Sequence, residues 1–148
     1  MSSPGELVLF RRAPAGLLRA QLEQFALALR AGITPGQDFN CLITDDRELR
    51  RLNRQFLGRD YATDVLSFPA AEAGPWLGEL AISAERAAAQ AREFGHSHMD
   101  EIRILMLHGV LHLAGMDHET DRGEMARAET RWRKELKLPA GLIARARS

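Results

Sequence analysis

Apolar positions along the chain follow two periods. Leu18, Leu22, Phe25 and Leu29 recur at helical spacing, which predicts a helix from near Pro14 to about Ala31, ended by Gly32 and Pro35-Gly36. The short apolar runs on either side, residues 6–11 (ELVLFR) and 39–44 (FNCLIT), read as strands. Asp45 with Glu48 has capping-box spacing and opens a helix to about Phe56. Its outward face would carry Arg47, Arg50, Arg51 and Arg54. A polar loop over 58–63 leads into residues 64–69 (DVLSFP), a strand stopped by Pro69. After a turn-rich stretch, residues 77–83 (LGELAIS) form another strand. Ser83 caps a helix over 84–94, closed by Gly95. Ser97 and Asp100 open a helix from about His98 to Ala114, terminated by Gly115. Asp121 and Glu124 repeat the device before a last helix to about Leu136 and a loose tail. The order β-α-β-α-β-β-α-α-α predicts an α+β fold. It would be a single domain over residues 1–148, with a mixed four-stranded sheet covered by about five helices.

Composition agrees with that picture and removes some alternatives. At 148 residues and 45% hydrophobic, the chain can build a core and is too apolar for general disorder. The longest mostly apolar stretch, residues 102–116, is short and interrupted by Arg103, His108 and His112, so no membrane span is expected. The start MSSPGELVLFRRAP lacks a secretory pattern. The lone Cys41 has no internal disulfide partner and reads as a small buried side chain. The expectation is a cytoplasmic protein without a membrane partner. Phe10, Phe25, Phe39, Phe56 and Phe68 sit at core-like spacings, and His96 and His98 read as solvated residues at a loop–helix junction.

Zero net charge argues against a polyanionic partner until it is divided by segment. Residues 1–63 carry 9 basic and 7 acidic groups, residues 64–130 carry 5 and 12, and residues 131–148 carry 6 and 1. Two basic ends therefore flank an acidic middle, which restricts where RNA could bind rather than excluding it.

That acidic middle holds the candidate chemistry, HGVLHLAGMDH over residues 108–118. His108 and His112 are four apart in a predicted helix, so their imidazoles lie about one turn apart on one side. Gly115 can take the left-handed conformation that turns the chain back, and His118 follows three residues later. Three neutral imidazoles with one open position make a catalytic-type zinc site. Nickel or another divalent ion suits the same donors. The spacing equals that of HExxHxxGxxH metalloproteases, but Gly109 stands where those enzymes carry their general-base Glu. A metal there could still polarise a phosphoryl oxygen.

The motif resembles the HGxLHLxGxDH signature of the YbeY endoribonucleases, the bacterial rRNA maturation factors. Residues 63–69 (TDVLSFP), with Leu52-Asn53 before them, and residues 77–83 (LGELAIS) are similar to two further family stretches. The resemblance covers roughly residues 40–135. It implies a mixed four-stranded sheet with helices and a metal-dependent endoribonuclease acting on single-stranded RNA. The activity would serve 16S rRNA 3′-end maturation and ribosome quality control. It implies His108, His112 and His118 as zinc ligands. Its partners would be precursor rRNA, the small ribosomal subunit and assembly factors. Two positions depart from the pattern. Glu79 replaces the family's usual Asp, and Leu57 stands where the family carries an Arg important for cleavage. Arg59, two residues on, is the candidate to offset charge on the phosphate. Asp117 is the candidate to orient a ligand imidazole; Glu119 and Asp121 read as helix caps. Asp64 and Ser67 are candidates to line the cleft. The attacking oxygen is either water or the ribose 2′-hydroxyl. Two rivals stand beside the nuclease: a ribosome-assembly factor with a structural metal, and a zinc peptidase or amidase using Asp117 or Glu79 as base.

Overall fold

The computed structural model describes residues 6–61, 63–139 and 142–146. Residues 1–5, part of the stretch read as lacking a secretory pattern, lie outside the described residues, as do parts of the tail. Four strands, β1 (Val8–Phe10), β2 (Asp38–Thr44), β3 (Val65–Pro69) and β4 (Trp76–Ser83), form one sheet in the order β1-β2-β4-β3. β1 and β2 are parallel, as are β2 and β4, whereas β3 runs antiparallel to β4. The sheet is therefore mixed, as the strand and helix order predicted. Pro69 falls at the end of edge strand β3, where no ladder donor is lost.

Side-chain alternation divides the sheet into two faces. Phe39, Cys41 and Ile43 pair in register with Gly78, Leu80 and Ile82. This face packs against α1 (Arg19–Ile33), α3 (Ala84–Phe94) and α4 (His98–Leu113) in the main core. The opposite face is covered by α2 (Asp46–Leu57), where Leu49 meets Leu66 and Ala81. α4 is buried on nearly every side between Ile102 and Leu113, as expected of a helix apolar all round. α5 (Glu124–Glu135) and the short α6 (Leu142–Ala146) complete the fold. Among the described residues no helix is long and apolar enough to cross a membrane.

Several elements begin and end where their caps predict. Asp45 Oδ1 accepts the Glu48 amide at 2.9 Å, Ser83 Oγ that of Arg86 at 3.1 Å, and Ser97 Oγ that of Asp100 at 3.0 Å. Other expectations are corrected. Gly32 lies inside α1 rather than ending it, and its lack of a side chain makes room for the Trp132 ring, which a Cβ would meet at 2.6 Å. α1 begins at Arg19, after a turn in which the Leu17 amide donates to the Pro14 carbonyl. Phe56 is 60% exposed rather than core, resting edge-on against Phe68. His96 and His98 are not solvated. His96 Nε2 lies 2.6 Å from the fully buried Glu101, and His98 Nε2 lies 2.8 Å from the Ala84 carbonyl. The segment expected as a loose tail contains α6, where Ile143 is buried and Arg145 pairs with Glu101 at 2.8 Å.

Candidate metal centre

α4 is the element that makes the site. Its burial fixes the helix, and helical spacing brings His108 and His112 edge to face with ring centroids 4.8 Å apart. After Ala114 the helix stops. Gly115 takes φ of 100°, and the Met116 amide donates back to the Leu111 carbonyl at 3.1 Å. The returning chain sets His118 with its ring 5.4 Å from His108 and 5.6 Å from His112. One donor atom from each of the three lies within 4.8 Å of the others.

The immediate surroundings fit a metal. His108 is 7% exposed, and its Nδ1 lies 2.8 Å from Glu129 Oε2. A carboxylate accepts, so Nδ1 carries the proton and Nε2 keeps its lone pair. The other oxygen of Glu129 accepts the Ile143 amide at 2.9 Å, so α6 holds the carboxylate in place. His118 Nδ1 is buried without a hydrogen-bond partner, and such an atom in a cluster of donors is what a missing ligand would leave. Burial pushes the His112 pKa below its ordinary 6.5, and the neighbouring His108 and His118 push the same way. Its imidazole is therefore neutral near pH 7, the form that binds a metal.

The histidines open onto a cleft of about 660 Å³. Val65 and Ser67 of β3 share the sheet face of Ile82 and Leu80, toward α4, and line it. Asp64, Arg59 and Leu57 line it too, and Leu142 of α6 contributes as well. Arg59 is exposed, with Nη1 3.5 Å from the Tyr61 hydroxyl. Asp117 is exposed on the rim. Its carboxylate accepts the Glu119 amide at 3.1 Å and the Thr120 hydroxyl at 3.2 Å, which closes a turn. The N-cap of α5 is Gly123 rather than Asp121; Asp121 lies two residues before it and accepts the amides of Gly123 and Met125 at 2.8 and 2.9 Å. Of the predicted residues, the cleft thus gathers His108, His112, His118, Arg59, Asp64, Ser67, Asp117 and Glu119.

Two positions bear on the peptidase reading. A methyl group at Gly109 would meet Leu80 of β4 at 2.6 Å. The residue after His108 thus has no room for a carboxylate, because α4 lies directly on the sheet there. Glu79 faces the α2 side and lines a separate hollow with Phe56 and Phe68, away from the histidines. The residue that sequence reasoning missed is Glu129. Its signal is a charge on an apolar stripe, four residues after Met125 and three before Trp132, which places it on the buried side of α5.

Residues 15–137 match the family model described as Endoribonuclease YbeY. A Solibacter usitatus protein named Endoribonuclease YbeY is 62% identical over 149 residues, covering 100% of both chains. One of the same name from Koribacter versatilis is 46% identical over 139 residues, 94% of this chain and 91% of its own. A solution structure of a Thermotoga maritima protein is similar with a TM-score of 0.60 at 29% identity, covering 87% of this chain and 88% of that one.

Proposed function

The chain belongs to the YbeY endoribonuclease family, and from that premise we propose that it is a zinc-dependent endoribonuclease specific for single-stranded RNA. Its proposed task is 16S rRNA 3′-end maturation and ribosome quality control in the cytoplasm. Precursor rRNA is the substrate, and the small ribosomal subunit with its assembly factors forms the setting. Residues 1–148 act as one catalytic unit. The observation that carries the reading is the cluster of three imidazoles, backed by Glu129 and open to the cleft.

His108, His112 and His118 would hold one divalent ion, zinc in the first instance and nickel as the nearest substitute. An ion held there would supply Lewis-acid chemistry, polarising a phosphoryl oxygen or an attacking hydroxyl. Glu129 keeps the His108 ring in the tautomer that presents Nε2. Arg59 places a guanidinium on the cleft wall, where it can offset charge growing on the scissile phosphate. Asp117 fixes the turn that carries His118, and its rim position suits a proton acceptor for the attacking hydroxyl.

The test measures metal content and cleavage of an unstructured RNA on one preparation, wild type beside His112→Ala. Loss of both in the variant is expected. Undiminished cleavage by a metal-free preparation would falsify the reading. Leu57 favours a second reading, a ribosome-assembly factor whose metal is structural, because a cleft position two residues before Arg59 is aliphatic. In that case His112→Ala lowers the melting temperature while wild type shows no metal-dependent cleavage. The peptidase reading loses Gly109 and Glu79 as sources of a base at the histidines and keeps only Asp117 on the cleft rim; turnover of a peptide library that is lost on metal removal would favour it over the nuclease.

A further inference from the structure

The cleft has one cation and several anions. Asp64, Asp117 and Glu119 line it with Arg59. A polyanion would not be drawn into such a cleft by the cleft's own side chains. Attraction must come from an adjoining surface, and α2 provides one. Arg47, Arg50, Arg51 and Arg54 share a face of this helix, with Arg12 beside them, around a concavity also lined by Asp45 and Glu48. That is five cations against two anions in a chain of zero net charge.

The two anions are already engaged. Glu48 binds Arg11, Arg12 and Arg51, and Asp45 pairs with Arg12 and caps α2. Among the described residues, Arg47 and Arg54 have neither an ion pair nor a side-chain hydrogen bond, although each is exposed. The arginine face also leads to the cleft. Helix α2 ends at Leu57, a cleft residue. Gly58 turns back with its amide on the Arg54 carbonyl, and the Arg59 amide donates to the Asn53 carbonyl. Asp60 then pairs with Arg50 at 2.9 Å, which ties the loop carrying Arg59 to the arginine face.

We infer that the arginine face of α2 is the track along which single-stranded RNA enters the histidine cleft, with Arg47 and Arg54 contacting phosphates. The inference rests on the endoribonuclease reading and assigns the path of its substrate. A second basic surface, on α5, holds Arg122, Arg127, Arg131 and Lys134. It shares no lining residue with the histidine cleft, whereas α2 ends at Leu57, which lines that cleft.

The experiment measures binding of an unstructured oligoribonucleotide by full-length His112→Ala protein across a salt series. Adding Arg47→Ala and Arg54→Ala should weaken binding about tenfold near 0.1 M salt and reduce the salt slope by about 1.4, the value for two single-strand phosphate contacts. Lysine at both positions should restore the slope. Both arginines are exposed and unpaired, so the alanine variants should melt with the parent. Arg131→Ala with Lys134→Ala should leave affinity and slope unchanged. Unchanged binding in the α2 variant, or a loss seen only in the α5 variant, overturns the track. Cleavage by wild type is scored separately. Salt-sensitive binding that depends on α2, by a chain that cuts no RNA, upholds the track and overturns the nuclease reading.

Discussion

Glu129 and Glu48 are both almost wholly buried, on opposite sides of the sheet, and they organise opposite chemistry. Glu129 has two partners, the His108 imidazole at 2.8 Å and the Ile143 amide at 2.9 Å, and both are buried with it. Glu48 has three guanidinium partners, Arg11, Arg12 and Arg51, whose side chains are about half exposed. One carboxylate positions a single ring from within the core. The other gathers cations that remain in water. The difference decides what each is worth. Removing Glu129 strands buried donors, which carries the full cost of desolvation. Removing Glu48 frees solvated arginines, whose pairing is weakened by solvent screening.

Replacing each glutamate with glutamine tests the contrast most strongly. In Glu129→Gln the amide can accept from only one of its two donors. Metal affinity should fall about 10- to 100-fold, the usual consequence of losing a group that orients a ligand. Stability should fall by about 1–3 kcal/mol. In Glu48→Gln metal affinity should not change, and stability should fall by about 1 kcal/mol or less after screening. Competition with a chelating dye and thermal unfolding measure both. Equal losses of metal affinity in the two variants would end the distinction.

This contrast also marks what the sequence reveals. Local features were legible: the His108 to His118 motif lies within eleven residues, and Ser83, Ser97 and Asp45 cap the helices they were expected to cap. These depend on spacing along one element. Glu129 lies 21 residues from His108, and only packing of α5 on α4 brings them together. Glu101 similarly gathers His96 from its own helix start and Arg145 from α6, so two groups read as solvated or loose are held by a buried charge. Phe56 was misjudged for the opposite reason. Its helical phase faces the sheet, but α2 overhangs the edge strand there and leaves the ring open.

The cleft wall offers a gain of function. Leu57 is 41% exposed and lines the cleft beside Arg59. Leu57→Arg adds a cation to the cleft wall, at the position where the resemblance implies an arginine, and Leu57 belongs to neither core cluster. Cleavage should rise about tenfold, less than an ideally placed donor provides, because the new side chain remains partly solvated. Metal affinity should stay unchanged, since the substitution alters none of the three imidazole donors and not Glu129. A rise in metal affinity without a rise in cleavage would mean that this wall serves the ion rather than the phosphate.

The smallest effect separates the two sides by pH. Burial holds the His112 pKa below 6.5, with His108 and His118 adding to it. As pH falls below 6.5, the unfolded chain takes up this proton before the folded protein does, so the metal-free protein loses stability from that point downward. Glu48 behaves differently. The hydrogen bond from Arg51, opposed by burial and aided by nearby arginine charge, holds its carboxyl below 4.5. Its contribution is present above pH 4.5 and is lost only as pH falls through the lowered value. Thermal unfolding of metal-free wild type and His112→Gln between pH 7 and 5 reads the first window alone. Wild type should lose more stability than the variant over that range. Parallel curves would mean that the acid sensitivity of the metal side does not come from His112.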